Sequence, residues 1–193
     1  VEVAHKMECK NIRMFSFYIP EGMRENYKGK VFEQIGRFVD YAAANDVVLL
    51  HENEKGIYGE MAKECRELMD EFYGEHFKAV FDFANFVQAG QDTMEAYELL
   101  EKYIAYIHVK DALAVNGNVV PAGMGDGNVA AILKDLYAGG YQGFLSLEPH
   151  LFQFSGFAGL ERGEQLASGK KTLSGAEAFE LAHKSLIKIL TEI

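Results

Sequence analysis

The chain has 193 residues, with 19 lysines and arginines against 29 aspartates and glutamates, and its formal net charge is −10 at pH 7. This length predicts one domain with a sizeable core, and a composition of 49% hydrophobic and 25% charged residues excludes disordered, collagen-like and coiled-coil chains. The acidic balance leaves little basic surface to neutralise phosphates, which argues against nucleic acid as a partner.

Short apolar runs alternate with longer stretches of helical periodicity along the chain. Strands are predicted at 12–18, 47–53, 77–83, 104–110 and 144–148. The stretches between them place apolar residues three or four positions apart, as at Val31 and Ile35 or at Cys65 and Leu68. This alternation is typical of parallel strands joined by helices, so the predicted fold class is α/β.

Two helix ends are marked in the sequence. Gly139 and Gly140 follow a helical stretch that begins near Val129, and they predict its C-terminal end. Ser174 and Glu177 have the spacing of a capping box, which predicts the start of a final helix.

The two cysteines, Cys9 and Cys65, lie in helical patterns without a CxxC neighbour, and both are expected to be buried small hydrophobes. No stretch approaches the roughly 20 apolar residues of a membrane span, and the first residues have no signal-peptide pattern. We therefore expect a reducing compartment, a cytoplasmic location and no membrane partner. The sequence leaves homo-oligomer formation open.

Four residues able to bind metal or to move protons lie at or near the ends of successive predicted strands. They are Glu52, Asp82, His108 and Glu148, separated by 30, 26 and 40 residues. A βα unit takes about 30 residues in an eight-unit barrel, and the C-terminal strand ends of such a barrel surround one mouth. Residues remote in sequence would then converge on one point.

Three carboxylates and one imidazole form an oxygen-rich ligand set. Such a set suits Mn²⁺ or Mg²⁺, and the imidazole adds affinity for Co²⁺, Fe²⁺ or Zn²⁺. A single strand-end carboxylate is more often a helix N-cap, and a single strand histidine is as often a core residue. Convergent carboxylates would repel one another without a cation, so the coincidence favours a site for one divalent ion, with Mn²⁺ as the first choice.

Two loops are candidates for function. The run Gly123, Gly125 and Gly127 loosely resembles a phosphate-binding loop, and a lid or a turn that shapes the substrate pocket is the favoured alternative. The stretch 151–172 is longer than a simple connection requires, which is typical of a lid or a binding loop.

Five strings carry a family resemblance: HENEKGIYG (51–59), FDFANF (81–86), YIHVKDA (106–112), VPAGMGDGN (120–128) and GYQGFLSLEPH (140–150). With these strings the chain resembles the sugar phosphate isomerase/epimerase superfamily of xylose-isomerase-like TIM barrels. That superfamily includes ketose 3-epimerases, hydroxypyruvate isomerase, inosose dehydratase and the endonuclease IV class. The resemblance runs from about residue 11 to the final helix.

The resemblance implies one divalent cation held by Glu52, Asp82, His108 and Glu148. It also implies a small sugar or keto-polyol substrate whose carbon-bound proton is removed to give an enediolate, with Glu52 and Glu148 as the catalytic acid and base. Return of the proton on the opposite face gives an epimerase, whereas delivery to the next carbon gives an isomerase. The ligand set does not choose between them.

The chain departs from ketose 3-epimerases at two positions. Asn85 stands where they carry a histidine, and no arginine follows the histidine ligand. The candidate substrate-binding residues are Arg13, Asn85, Lys110, Asp111 and His150. Lys110 and His150 could hold a sugar hydroxyl, carboxylate or phosphate, and a structural ion pair is the alternative for Lys110 and for Arg13.

The matched motifs belong to strands four through eight of a (β/α)8 barrel of roughly 250 residues. We therefore predict a single, incomplete TIM-barrel domain over 1–193 that lacks about three N-terminal βα units. Exposed strand edges would make it unstable, prone to aggregate or completed by another chain. The sequence thus predicts the metal half of an active site. Two alternatives stay open, a metal-dependent lyase of the inosose dehydratase type and an inactive sugar-binding remnant.

Overall fold

The computed structural model describes residues 1–151 and 173–193. The chain forms two compact units. The first comprises Val1–Phe81 and Glu95–Ile107, and the second comprises Asp82–Met94 and His108–Ile193. The predicted loop at 151–172 lies outside the described residues from position 152 onward.

The strands, in chain order, are β1 (Asn11–Met14), β2 (Val48–Glu52), β3 (Phe77–Asp82), β4 (Ile104–Val109), β5 (Asp111–Ala112), β6 (Val119–Val120) and β7 (Phe144–Leu147). Five of them form one sheet in the order β1-β2-β3-β4-β7, and β5 pairs with β6 in a separate antiparallel ribbon. The pairs β1–β2 and β2–β3 are parallel. The predicted α/β class is confirmed.

The helices, in chain order, are α1 (Glu2–Lys6), α2 (Arg24–Ala44), α3 (Ala62–Phe72), α4 (Phe83–Gln88), α5 (Thr93–Leu100), α6 (Val129–Ala138) and α7 (Gly175–Glu192), with a short 3₁₀ turn at Glu101–Tyr103. In the first unit, α2 buries Val31 and Ile35, and α3 buries Cys65 and Leu68. These four positions confirm the predicted core-facing pattern, whereas Phe38, which has the same helical spacing in α2, is exposed.

Both predicted helix ends are confirmed in the second unit. Helix α6 ends at Ala138 with Gly139 as its C-cap, and Gly140 adopts a φ of 81°, a left-handed conformation that costs glycine little. Helix α7 begins with the full capping box, in which Ser174 Oγ accepts from the Glu177 N–H and Glu177 Oε2 accepts from the Ser174 N–H at 2.8 Å.

The start of the chain departs from prediction in two respects. Strand β1 ends at Met14, four residues early, and Tyr18 makes only an isolated bridge to Ile57. Cys9 lies beyond the end of α1 and is exposed, so the expectation that it is buried was wrong, whereas Cys65 is buried. Neither cysteine forms a disulfide.

An open apolar cavity of about 210 Å³ lies beside β1 in the first unit. It is lined by Val1, Met14, Phe15, Phe38, Tyr41, Ala42, Val47 and Leu49. Phe38 and Tyr41 are 44% and 60% exposed. Apolar surface is therefore exposed beside this strand, as an incomplete set of barrel strands predicts. Among the described residues, no helix is both long and apolar enough to span a bilayer.

Candidate metal centre

Glu52 is the last residue of β2, and its side chain is buried. Parallel pairing sets it opposite Val80 of β3. Arg13 of β1 lies with Nε 3.2 Å from Oε2 of Glu52, and the Arg13 side chain remains 42% exposed. The buried carboxylate therefore has a guanidinium beside it that still reaches solvent.

Asp82 ends β3 and is also the N-cap of α4. Its Oδ1 accepts a hydrogen bond from the backbone N–H of Asn85 at 2.8 Å, and both residues are buried. This is the capping role that an acidic residue at a strand end most often has. It occupies one oxygen of the carboxylate, while Oδ2 lies 3.5 Å from Nζ of Lys110.

His108 and Lys110 are two positions apart at the end of β4, so strand alternation directs both side chains to the same side. Nδ1 of His108 lies 3.8 Å from Oε2 of Glu148. Nζ of Lys110 lies 3.4 Å from the same oxygen, and the Lys110 side chain is buried. A buried ammonium thus lies between the carboxylates of Asp82 and Glu148.

Glu148 directly follows β7, and its backbone N–H donates to the carbonyl of Val109 at 3.2 Å. Its side chain is 26% exposed, the most accessible of the three strand-end carboxylates. His150 lies two residues further on and has a φ of 41°, a left-handed conformation that is uncommon outside glycine.

The four predicted metal ligands each offer one ligand atom, and these atoms lie within 4.8 Å of one another: Glu52, Asp82, His108 and Glu148. The donor set is three carboxylate oxygens and one imidazole nitrogen. Carboxylates are preferred by Mg²⁺ and Mn²⁺, and an imidazole extends the set to Zn²⁺, Fe²⁺ and Co²⁺. The residues present therefore fit one divalent cation.

Asp111 is one of the substrate-binding candidates predicted from the sequence. In the structure, both of its carboxylate oxygens accept hydrogen bonds from backbone N–H groups. Four N–H groups donate to them at 2.9–3.0 Å, from Ala112, Gly123, Gly125 and Gly127. Burial raises the pKa of this carboxyl, and the four hydrogen bonds act in the opposite direction. The run Gly123, Gly125 and Gly127 therefore binds a carboxylate of the chain itself, that of Asp111.

A buried histidine, to which the sequence pattern assigns no role, lies beside Glu52. His51 precedes Glu52, is buried, and its Nε2 has no hydrogen-bond partner among the described residues. Burial lowers its pKa to about 4. A Cβ on Gly59 would lie 2.7 Å from the His51 ring, so this ring packs directly on glycine backbone. The positive φ of Gly59, 109°, was not readable from the sequence.

A family model for xylose isomerase-like TIM barrels matches residues 1–173. The chain belongs to the xylose isomerase-like TIM barrel family. This membership confirms the predicted resemblance and fold class, and the five strands of the described sheet are fewer than the eight of a complete barrel. No curated protein sequence matches the chain significantly.

Solved structures share this xylose isomerase-like fold. A D-allulose 3-epimerase from Methylomonas sp. in complex with D-allulose is 15% identical, with a TM-score of 0.71 over 100% of this chain and 66% of that one. A xylose isomerase domain protein from Planctomyces limnophilus is 25% identical, with a TM-score of 0.63 over 76% and 55%.

A third structure contains a metal ion. It is a xylose isomerase-like TIM barrel protein from Mycobacterium smegmatis in complex with magnesium, 15% identical, with a TM-score of 0.65 over 99% of this chain and 64% of that one. The chain therefore spans between 55% and 66% of the lengths of these three proteins.

Proposed function

We propose that this chain carries the metal-binding part of the active site of a divalent-metal-dependent isomerase or epimerase. The substrate is a small keto sugar or a sugar-derived keto compound, and the enzyme is cytoplasmic. One observation carries the proposal, namely the convergence of one ligand atom each from Glu52, Asp82, His108 and Glu148. Membership of the family and the D-allulose bound to one structural neighbour support the choice of substrate class.

The proposed cofactor is one divalent ion, with Mn²⁺ as the first choice and Mg²⁺, Co²⁺, Zn²⁺ or Fe²⁺ as alternatives. The dominant carboxylates suit Mn²⁺ and Mg²⁺, and the imidazole favours a transition metal. When bound, such an ion polarises a substrate carbonyl and stabilises the negative charge that develops as the neighbouring carbon loses its proton. The protein supplies the ligands and the groups that move the proton.

Glu148 and Glu52 are the proposed acid and base. Glu148 is the more accessible carboxylate, and Nζ of Lys110 lies 3.4 Å from its Oε2. Glu52 is buried beside Arg13. One carboxylate would take the carbon-bound proton, and the other would return a proton. Return to the same carbon from the opposite face inverts it, whereas return to the adjacent carbon moves the carbonyl.

The remaining candidates have proposed roles in holding the substrate. Arg13 lies beside Glu52 with part of its guanidinium in solvent, so it can donate to a substrate oxygen. Lys110, Asn85 and His150 are proposed to donate to hydroxyl or carbonyl oxygens of the substrate.

Metal content and hydrogen exchange test this function. The chain is dialysed against chelator, titrated with Mn²⁺ by calorimetry, and incubated in deuterated water with a panel of ketoses, keto acids and inososes. We expect one Mn²⁺ per chain and deuterium at a single substrate carbon. The absence of both would refute the enzyme proposal. Bound sugar without exchange would identify an inactive sugar-binding remnant, and loss of water from the product would identify a lyase.

A further inference from the structure

A buried aspartate lies at the centre of the loop that follows β4. We call residues 112–128 the glycine loop. The Asp111 carboxylate is fully buried, and each of its oxygens accepts two backbone hydrogen bonds. Oδ1 accepts from Ala112 and Gly127, and Oδ2 accepts from Gly123 and Gly125. Four donors on one carboxylate make this side chain the main polar partner of the loop backbone.

The loop approaches Asp111 too closely for any residue but glycine at two positions. A Cβ on Gly125 would lie 2.4 Å from Asp111 Oδ1 and 2.4 Å from the carbonyl oxygen of Ala112. A Cβ on Gly127 would lie 2.6 Å from Asp111 Oδ1. The Asp111 carboxylate therefore occupies the space inside the loop, which the glycine pattern had suggested as a phosphate-binding site. No room remains there for an external anion.

Two further hydrogen bonds join the glycine loop to other residues of the second unit. Nε2 of Gln88, on α4, donates to the carbonyl of Gly117 at 2.8 Å, and Nδ2 of Asn128 donates to Oγ1 of Thr93 at 2.9 Å. Asp111 itself pairs with Val120 in the β5–β6 ribbon. The backbone immediately after Lys110 is thus held by a network centred on one carboxylate.

We propose that Asp111 is a positioning residue that folds the glycine loop around its carboxylate and thereby holds Lys110 against Asp82 and Glu148. The peptide bond joins the two residues directly, and the Lys110 ammonium must lie within 3.5 Å of both carboxylates although its side chain has many rotamers. Fixing the adjacent backbone limits the rotamers that Lys110 can use. Asp111 acts on the site through Lys110 and not through substrate contact.

Amide hydrogen exchange tests the loop part of this proposal. In the wild-type chain we expect slowed exchange at the amides of Gly123 and Gly125, although both residues lie in a loop near the surface. In Asp111→Asn, the amide NH₂ meets backbone donors in place of an acceptor, and exchange should accelerate by roughly 10- to 100-fold. The matched control is Asp126→Asn, because Asp126 is an aspartate of the same loop that accepts one bond, from the Ala114 N–H at 2.7 Å.

Mn²⁺ affinity tests the link to Lys110, and this part rests on the proposed function. At a temperature where circular dichroism shows the variant folded, Asp111→Asn should bind Mn²⁺ about tenfold more tightly, because an ammonium no longer held against Asp82 and Glu148 competes less with the ion for their charges. Asp126→Asn should match the wild type. A merely structural aspartate would lower the melting temperature without changing the dissociation constant of the folded protein.

The outcomes separate this inference from the proposed function. Wild-type protein that binds no Mn²⁺ would refute the metal site, while the exchange data would still decide the role of Asp111. Fast exchange at Gly123 and Gly125 in the wild type would overturn the inference even if Asp111→Asn failed to fold. Unchanged Mn²⁺ affinity in a folded Asp111→Asn would overturn the link to Lys110.

Discussion

The ammonium of Lys110 lies 3.5 Å from Oδ2 of Asp82, and both side chains are buried. Lys110 also reaches Glu148, so one internal cation partly offsets the charges of two proposed metal ligands. In Lys110→Met these carboxylates lose that cation, and the free energy of unfolding in chelator should fall by about 3–5 kcal/mol. Saturating Mn²⁺ should reduce this loss, because a dication offsets the same charges. Urea unfolding with chelator and with Mn²⁺ measures both values.

The control for this prediction is Lys184→Met. Lys184 pairs with Glu180 at 2.5 Å on the exposed surface of α7, where such a pair contributes less than about 1 kcal/mol. An equal loss of stability in Lys110→Met with and without Mn²⁺ would contradict the idea that Lys110 and the metal act on the same carboxylates.

Glu148→Gln should abolish the exchange of substrate hydrogen while retaining some Mn²⁺ binding. The amide keeps a ligand oxygen but cannot accept and return a proton, and loss of such a group lowers rates by roughly 10²- to 10⁴-fold. Deuterium incorporation measured by mass spectrometry reports the rate, and calorimetry reports the metal. The surface variant Glu180→Gln should leave both unchanged. Wild-type turnover in Glu148→Gln would refute its role in proton transfer.

Gly59→Ala should destabilise the first unit by about 2–4 kcal/mol. Its φ of 109° strains any L-residue, and the added Cβ would meet the His51 ring at 2.7 Å. Gly29→Ala is the matched control, and its expected change in the free energy of unfolding has the opposite sign. Gly29 lies inside α2, and a Cβ added there would meet no atom within 4 Å, so alanine should stabilise by about 0.5–1 kcal/mol. Thermal and urea unfolding compare the two variants.

Buried His51 should make stability depend on pH. Its pKa is about 4 in the folded chain against an ordinary value of 6.5, so between these values the unfolded chain binds a proton that the folded chain does not. The free energy of unfolding should therefore fall as the pH drops from about 6.5 to 4, by at most about 1.4 kcal/mol per pH unit from this group.

The comparison of wild type with His51→Leu isolates that contribution. The difference between their unfolding free energies should change across this pH window and stay constant above it. Parallel curves for His51→Leu would show that the histidine does not titrate in this way.

Much of the fold could be predicted because its signals are local. The four later strands of the main sheet begin and end within about one residue of their predicted bounds, since apolar runs and turn residues delimit them. The capping box at Ser174 and the stop at Gly139 depend only on neighbouring residues. The prediction extended β1 through residues 15–18 because they include β-forming aromatic side chains. In the structure, pairing with β2 ends at Met14, and side-chain preference does not show where pairing ends.

The candidate ligands were likewise identifiable from the sequence. Glu52, Asp82, His108 and Glu148 stand at intervals close to one βα unit, and parallel strands bring their ends together. The role of Asp111 was not identifiable. It was predicted as a substrate-binding candidate, whereas its four hydrogen-bond partners in the structure are backbone N–H groups up to 16 residues away.

The sequence by itself determined the alternation of the main strands and helices, the family resemblance and the four residues that could hold a metal, because periodicity, strand ends and short motifs are encoded locally. The β5–β6 ribbon and helices α4 and α5 were not predicted. Tertiary structure alone decided the partners of the buried charges. It set Lys110 between two carboxylates, enclosed Asp111 in the glycine loop and packed His51 on Gly59. These contacts depend on how segments approach one another after folding, and the cost of burying a charge or a polar ring is set by that final environment.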